Sequence, residues 1–237
     1  MTGRRGGSGA SSGRPGSPRR NTHGRRRGRP LRRGLKTLME TLLPRLRVTL
    51  PDFGGVPDQV WVEIGFGAGE HLAWQASRHP EVTIIGAEVF VNGIAGLLRR
   101  IDELRLANVR IFQGDGRDLL DALPENSVSR VFILFPDPWP KQRHHKRRIV
   151  QAAVLDRLAS VMKDGAELRM ATDHGDYLRW MLDVATAHPA FRWLASGPGD
   201  WRERPADWPA SRYELKALGE GLAPTYLRFV RRRRGAA

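Results

Sequence analysis

Val60-Trp-Val-Glu-Ile-Gly-Phe-Gly-Ala-Gly69 joins a short strand, Val60 to Ile64, directly to three glycines, and a helix follows to about His79. A strand that turns through glycine into a helix opens a βαβ unit. The same alternation continues outward. Val82 to Ala87, Val109 to Gln113, Val131 to Phe135 and Glu167 to Ala171 read as further strands, with Phe191 to Leu194 and Thr225 to Val230 as two late ones. Val91, Ile94, Leu98, Ile101 and Leu104 mark a helix after the second strand. Ile149, Ala153, Leu158 and Met162 mark another, closed by Asp164-Gly165, and Tyr177, Leu178, Met181 and Leu182 begin the next. The fold class is therefore α/β, a doubly wound and mostly parallel seven-stranded sheet with helices on both faces.

Upstream, Leu35, Leu38, Met39, Leu42, Leu43 and Leu46 fall at helical spacing and predict an amphipathic lead-in helix bent at Pro44. Before them lies a segment of another kind. Residues 1–34 are rich in Gly, Ser and Pro and hold eleven Arg, no Lys and no acid. Such a segment buries too little apolar surface to fold alone and reads as a disordered basic arm. Arg231 to Arg234 supply the other four charges of the formal +15, which leaves residues 35–230 balanced. The expected organisation is an arm over 1–34, one domain over 35–230 and a basic tail over 231–237. A neutral globule with a basic arm at each end suits a polyanionic partner, and the bland reading is a solubilising tail.

The 237 residues contain no cysteine, which excludes disulfides, thiolate metal sites and a cysteine nucleophile. No run approaches the roughly 18 apolar residues of a membrane span. No apolar signal region opens the chain, and its frequent Gly and Pro argue against a helical transit peptide. A cytoplasmic protein that engages no membrane is the expectation.

Ligands of a doubly wound sheet bind beyond the carboxyl ends of the strands, so the loops after strands one to four are the candidate site. Gly65, Gly67 and Gly69 permit a tight turn and a close approach to backbone. They do not form the dinucleotide fingerprint, whose third glycine position holds Glu70, and no G-K-[ST] cradle is present. Glu63-Ile-Gly-Phe-Gly-Ala-Gly69, with its acid two residues before the first glycine, resembles the first motif of class I S-adenosylmethionine-dependent methyltransferases. That cofactor carries an ammonium and a sulfonium and no phosphate, so a carboxylate suits it. Glu88 ends strand two, where an acid about 20 residues past the glycines accepts ribose hydroxyls. Asp115 follows strand three, where methyltransferases of this class hold the adenine amino group.

After strand four comes Phe135-Pro-Asp-Pro-Trp-Pro-Lys-Gln-Arg-His-His-Lys-Arg-Arg148. Its two leading prolines hold Asp137 at the sheet's edge, and Trp139 either packs on a base or supports the loop. The string resembles the P-D-P-W-x-K-x-R-H-x-K-R-R segment of the bacterial tRNA (guanine-nitrogen-7) methyltransferase family. Ala171-Thr-Asp173 and Ser211-Arg-Tyr-Glu-Leu-Lys216 resemble its later segments, with Ser211 in place of the usual Thr. The resemblance spans about residues 35–230 and weakens in the arm, which lacks the family's aromatic. It implies the Rossmann-like class I fold and S-adenosylmethionine as cofactor. Glu63, Gly65, Gly67, Gly69, Glu88, Asp115 and Asp137 would meet the cofactor, and Asp137 would also be catalytic. Lys141, Asp173, Ser211, Arg212, Tyr213 and Glu214 would bind substrate. Arg143, His144, His145, Lys146, Arg147 and Arg148 would touch the RNA partner, a tRNA whose variable-loop guanine at position 46 is the family's target.

Nitrogen-7 of guanine already presents a lone pair, so no general base is required and alignment can supply most of the catalysis. Adjacent His144 and His145 beside four basic residues suit RNA contact or structure better than a metal, and no metal is assigned. Amino-methylating relatives favour [DN]-P-P-[YF] after strand four, from which Pro136-Asp-Pro-Trp139 departs. The alternatives are the same transfer to another RNA such as ribosomal RNA, and a noncatalytic RNA-binding protein on this scaffold. A nicotinamide dehydrogenase fails on the glycine pattern. With respect to protein partners the chain is compatible with a monomer or a homodimer.

Overall fold

The computed structural model describes residues 24, 26–49, 58–210 and 212–235. Seven strands form one sheet: β1 (Val60–Ile64), β2 (Thr83–Glu88), β3 (Val109–Gln113), β4 (Val128–Leu134), β5 (Met162–Thr172), β6 (Phe191–Trp193) and β7 (Thr225–Arg231). Their order is β3-β2-β1-β4-β5-β7-β6. β1 to β5 are parallel, and β7 runs antiparallel to both β5 and β6. The helices are α1 (Arg33–Thr41), α2 (Leu43–Leu46), α3 (Glu70–Arg78), α4 (Val91–Leu104), α5 (Gly116–Ala122), α6 (Ala152–Val161), α7 (Gly175–Ala187), α8 (Gly199–Arg202) and α9 (Arg212–Gly219). A 3-10 helix spans Gln142–Arg147.

All five residues of β1 are buried because helices cover both faces of the sheet, so the strand reads as a continuous run rather than an alternation. Val60, Val62 and Ile64 face the α5–α6–α7 side, where they pack with Leu119, Leu155, Leu158 and Met181. Trp61 faces the other side with Leu72, Ile94 and Leu98 of α3 and α4. By the same alternation Glu63 points toward α3. The strand order reverses between β1 and β4, and that reversal opens a crevice at their carboxyl ends.

The structure corrects several boundaries. β4 begins at Val128 and stops at Leu134, because Phe135 turns to a left-handed φ of 48°. α6 ends at Val161, and Met162 already pairs with Val128 as the first residue of β5. Asp164-Gly165 therefore lies inside β5, at an irregularity where Gly165 has φ 80° and the pairing jumps to Arg130↔Glu167. The lead-in segment is two helices broken at Leu42, with Pro44 in the first turn of α2, where a missing N–H is harmless. α5 and α9 are helices that the apolar pattern does not mark.

Both basic segments are more tied down than their composition suggests. The Arg26 carbonyl accepts from Val91 N at 3.0 Å, Gly28 N donates to Asn92 Oδ1 at 2.7 Å, and Asn92 Nδ2 donates to the Arg29 carbonyl. Residues 26–32 thus lie against the start of α4, and α1 begins at Arg33, which corrects the expectation of disorder up to residue 34. Residues 1–23 and 25 lie outside the described residues. At the other end Arg231 belongs to β7, and Arg231 and Arg234 grip Asp164 together with the Ala159, Ser160 and Met162 carbonyls at the end of α6. The Arg231 and Arg234 side chains thus cap the end of α6.

Candidate active site

The carboxyl ends of the parallel strands surround a cleft of about 490 Å3, the size of a cofactor site. Gly65, Gly67, Glu88, Asp115 and Asp137 all line it. Gly65 has φ 74°, and the space a Cβ would occupy there is empty for 4 Å. Glu88 ends β2 and accepts from the backbone N–H groups of Gly67, Val89 and Phe90 at 2.7–2.9 Å. Burial raises its pKa above the ordinary 4.5; the three amides oppose that shift, and the nearby Asp137 adds to it. Asp115 caps the N-terminus of α5 and also holds Arg117 through Nε at 2.9 Å and Nη2 at 2.6 Å. That bond keeps the Arg117 guanidinium firmly protonated. Asp137 stands exposed on the loop after β4.

Glu63 does not line this cleft. It opens on a smaller recess of about 40 Å3, which adjoins the cleft at Gly65, Leu134 and Phe135. His71, Trp208, Glu214 and Tyr226 complete its wall. Glu214 is buried; it accepts from the Tyr226 hydroxyl at 2.6 Å and pairs with Arg204 Nε at 3.2 Å. Burial and that carboxylate push the Tyr226 pKa up. Gly69 touches neither cavity. It is the left-handed cap of α3, and a Cβ there would lie 2.6 Å from Leu97, so this glycine serves helix packing instead of ligand contact.

The loop after β4 is held by residues that its composition assigns to RNA. Arg148 is 2% exposed, with its guanidinium between the Tyr177 and Trp180 rings at 4.9 and 5.1 Å. It donates to the Pro138 carbonyl at 2.9 Å and to Asp176. Arg148 therefore braces the Asp137 loop from beneath, and its expected role as an RNA contact is corrected. Trp139 takes φ 44°, lines the cleft and lies under Arg147 at 4.9 Å. Lys141, Arg143 and Lys146 are exposed. Desolvation and the cations of Arg147, Arg143, Lys141 and Lys146 lower the pKa of His144. His145 is largely covered, with Trp180 at 5.5 Å and Asp176 at 3.8 Å. Asp173 lies between β5 and α7, half-buried, and lines neither cavity. Ser211 lies outside the described residues, while Arg212 and Tyr213 open α9.

Several contributors are invisible to motif reading. Gly24 and Phe90 line the cleft, and Arg117 stands beside Asp115. Gly93 on α4 lets that helix meet the glycine loop: a Cβ there would sit 2.3 Å from the Gly67 carbonyl oxygen. Gly93 and Gly96 lie three residues apart on one helix face, and that spacing is the one signal that could have disclosed the contact. Among the described residues no cluster of His, Asp and Glu is arranged to hold a metal, and no helix is long and apolar enough to cross a membrane.

The residues at the cleft fit S-adenosylmethionine. A buried carboxylate ends β2, an open left-handed glycine follows β1, and no phosphate cradle competes. A family model described as "Putative methyltransferase" matches residues 57–223. A tRNA (guanine-N(7)-)-methyltransferase of Rhodospirillum rubrum is 51% identical over 90% of this chain and 89% of its own length. One from Caulobacter vibrioides is 48% identical over 88% of this chain and 93% of its own. Among solved structures an antibiotic-related methyltransferase superposes with a TM-score of 0.51 at 18% identity, covering 74% of this chain and 88% of that one, a likeness of fold. With family-level identity across nine-tenths of its length, this chain belongs to the tRNA (guanine-N(7)-)-methyltransferase family.

Proposed function

We propose that the protein transfers a methyl group from S-adenosylmethionine to nitrogen 7 of a guanine in tRNA, with the variable-loop guanosine at position 46 as its target. The observation that carries the reading is one cleft at the switch point of the sheet, lined by Glu88, Asp115 and Asp137 at the ends of three strands. Bound S-adenosylmethionine supplies an electrophilic methyl group on a cationic sulfur. Glu88 would accept the ribose hydroxyls, and Asp115, shared with Arg117, would accept from the adenine amino group. Gly65 leaves room along the backbone, Gly67 lines the cleft, and Glu63 faces the adjoining recess as an acceptor for the ammonium. Asp137 stabilises the positive charge that methylation leaves on the purine, and no group need remove a proton. Lys141, Asp173 and the Ser211–Glu214 segment are the proposed substrate contacts. Arg143, His144, His145, Lys146 and Arg147 are the proposed RNA contacts, and Arg148 is not among them.

Incubation with methyl-labelled cofactor and unmodified tRNA, followed by mapping of the labelled nucleoside, tests this reading. The expected product is 7-methylguanosine at one variable-loop position. Transfer to ribosomal RNA with none to tRNA would overturn it. Asp137→Asn keeps shape and loses charge, so turnover should fall by about 10²-fold, the scale of one lost electrostatic stabiliser, with tRNA affinity little changed.

A further inference from the structure

Glu63 meets the recess alongside a histidine that no motif marks. His71, in the first turn of α3, is 5% exposed. Its Nδ1 lies 2.7 Å from Glu63 Oε2, and its Nε2 lies 3.1 Å from the amide nitrogen of Gln75, one helical turn on. The same amide nitrogen donates to the Asp207 carbonyl at 2.9 Å. A carbonyl only accepts, so the NH2 end of Gln75 must face Asp207. The second N–H of that amide then meets His71 Nε2, which has to be the bare acceptor. The ring proton is left on Nδ1, where it donates to Glu63. Gln75 Oε1 is meanwhile buried with no partner among the described residues. Turning the amide over would set that oxygen against the Asp207 carbonyl, so the two N–H bonds fix its orientation.

The chain of bonds ends at a functional wall. Asp207 precedes Trp208, which is 4% exposed, lines the recess and meets the His71 ring edge-on at 5.9 Å. Ser211 to Glu214 follow after Pro209 and Ala210, and Glu214 lines the same recess. We propose that His71 and Gln75 are positioning residues of the methyl-transfer site. His71 aims the Glu63 carboxylate on the cofactor wall, and Gln75 latches the Asp207–Trp208 segment of the substrate wall to it. This rests on the reading of Glu63 as a cofactor contact in the transfer proposed above.

Nitrogen-15 spectra of the full-length protein labelled at histidine report the tautomer whether or not the protein transfers methyl groups. His71 should show a protonated Nδ1 and a bare Nε2; the opposite tautomer overturns the latch. Calorimetry with S-adenosylmethionine alone and steady-state kinetics with tRNA then separate the two walls. His71→Ala should weaken cofactor binding about 10-fold or more, the scale of a lost hydrogen bond to a charged group. His71→Asn, which can still donate from the Nδ1 position, should recover most of that loss and keep a raised KM for tRNA. Gln75→Leu should leave cofactor affinity nearly intact and raise the tRNA KM several-fold. Folded variants with unchanged cofactor affinity and unchanged tRNA KM would overturn the proposal. Loss of transfer by the unaltered protein would instead sink the functional reading and leave the tautomer result standing.

Discussion

Glu88 carries opposite demands on binding and on folding. Burial raises its pKa above 4.5, so the protonated form contributes stability that is fully present below the unfolded value and lost as pH rises through the folded one. Cofactor binding asks for the carboxylate, so affinity should fall as pH is lowered from neutral through that raised pKa. Calorimetric titration across this window should show the fall in the unaltered protein and a flatter profile in Glu88→Ala, weaker at neutral pH by about 1.5–3 kcal/mol. Parallel profiles would remove Glu88 from the site. Arg148 and Lys146 separate a brace from a contact. Arg148→Met should lower stability by about 2–3 kcal/mol, through the orphaned Pro138 carbonyl and lost ring packing, and leave the salt dependence of tRNA binding unchanged. Lys146→Ala should do the reverse: unchanged melting, and a salt slope shallower by about 0.7–0.9. Composition cannot make this distinction, because both residues are cations in one basic string. Asp176 and the Tyr177 and Trp180 rings, some thirty residues downstream, turn one of them inward.

At the scale of elements, strands and turns that repeat a strong local pattern were legible, and hand-overs between elements were not. β1 and β3 fall at the expected residues because each apolar run is bounded by turn-formers. The end of α6 is not legible, because Met162 suits either a helix or a buried strand and only its pairing with Val128 in three dimensions decides. The Glu63–His71 pair was likewise hidden, although the two sit eight residues apart, because a strand, a turn and a helix intervene. α4 offers the sharpest test of element packing. Gly93→Ala should cost about 1–3 kcal/mol by overpacking and weaken cofactor binding, since its Cβ would press the Gly67 carbonyl. Gly34→Ala in α1, where nothing lies within 4 Å of the new Cβ, should stabilise by about 0.5–1 kcal/mol. Thermal melts and cofactor titrations on the pair give the contrast. Equal behaviour would mean that the close approach of α4 carries no weight.

Across the whole molecule, charge segregation between the ends and the core was legible from counting, whereas the anchoring of those ends was not. Arginines pair with carbonyls and a lone Asp164 that lie about seventy residues away in sequence. The N-terminal segment divides by the same logic. Deleting residues 1–32 should make the log–log salt slope of tRNA binding shallower by about 2–3 units. It should also lower the melting temperature, because Val91 N loses the Arg26 carbonyl. Deleting residues 1–23, which keeps the Arg26 carbonyl, should change both the slope and the melting temperature less. Equal melting of the two truncations would contradict the docking on α4.

The placement of β7 bears on how the chain assembles during synthesis. It follows every other strand in chain order, yet it lies inside the sheet, between β5 and β6. A nascent chain that has emerged only as far as β6 therefore holds β5 with one open hydrogen-bonding edge, a template for pairing with a neighbouring chain on the same messenger. Tyr226, which binds Glu214 in the recess, arrives on that same strand. Sheet closure and completion of the recess are then a single late event, and a chain released before Thr225 should be recovered as aggregate rather than as a weak enzyme.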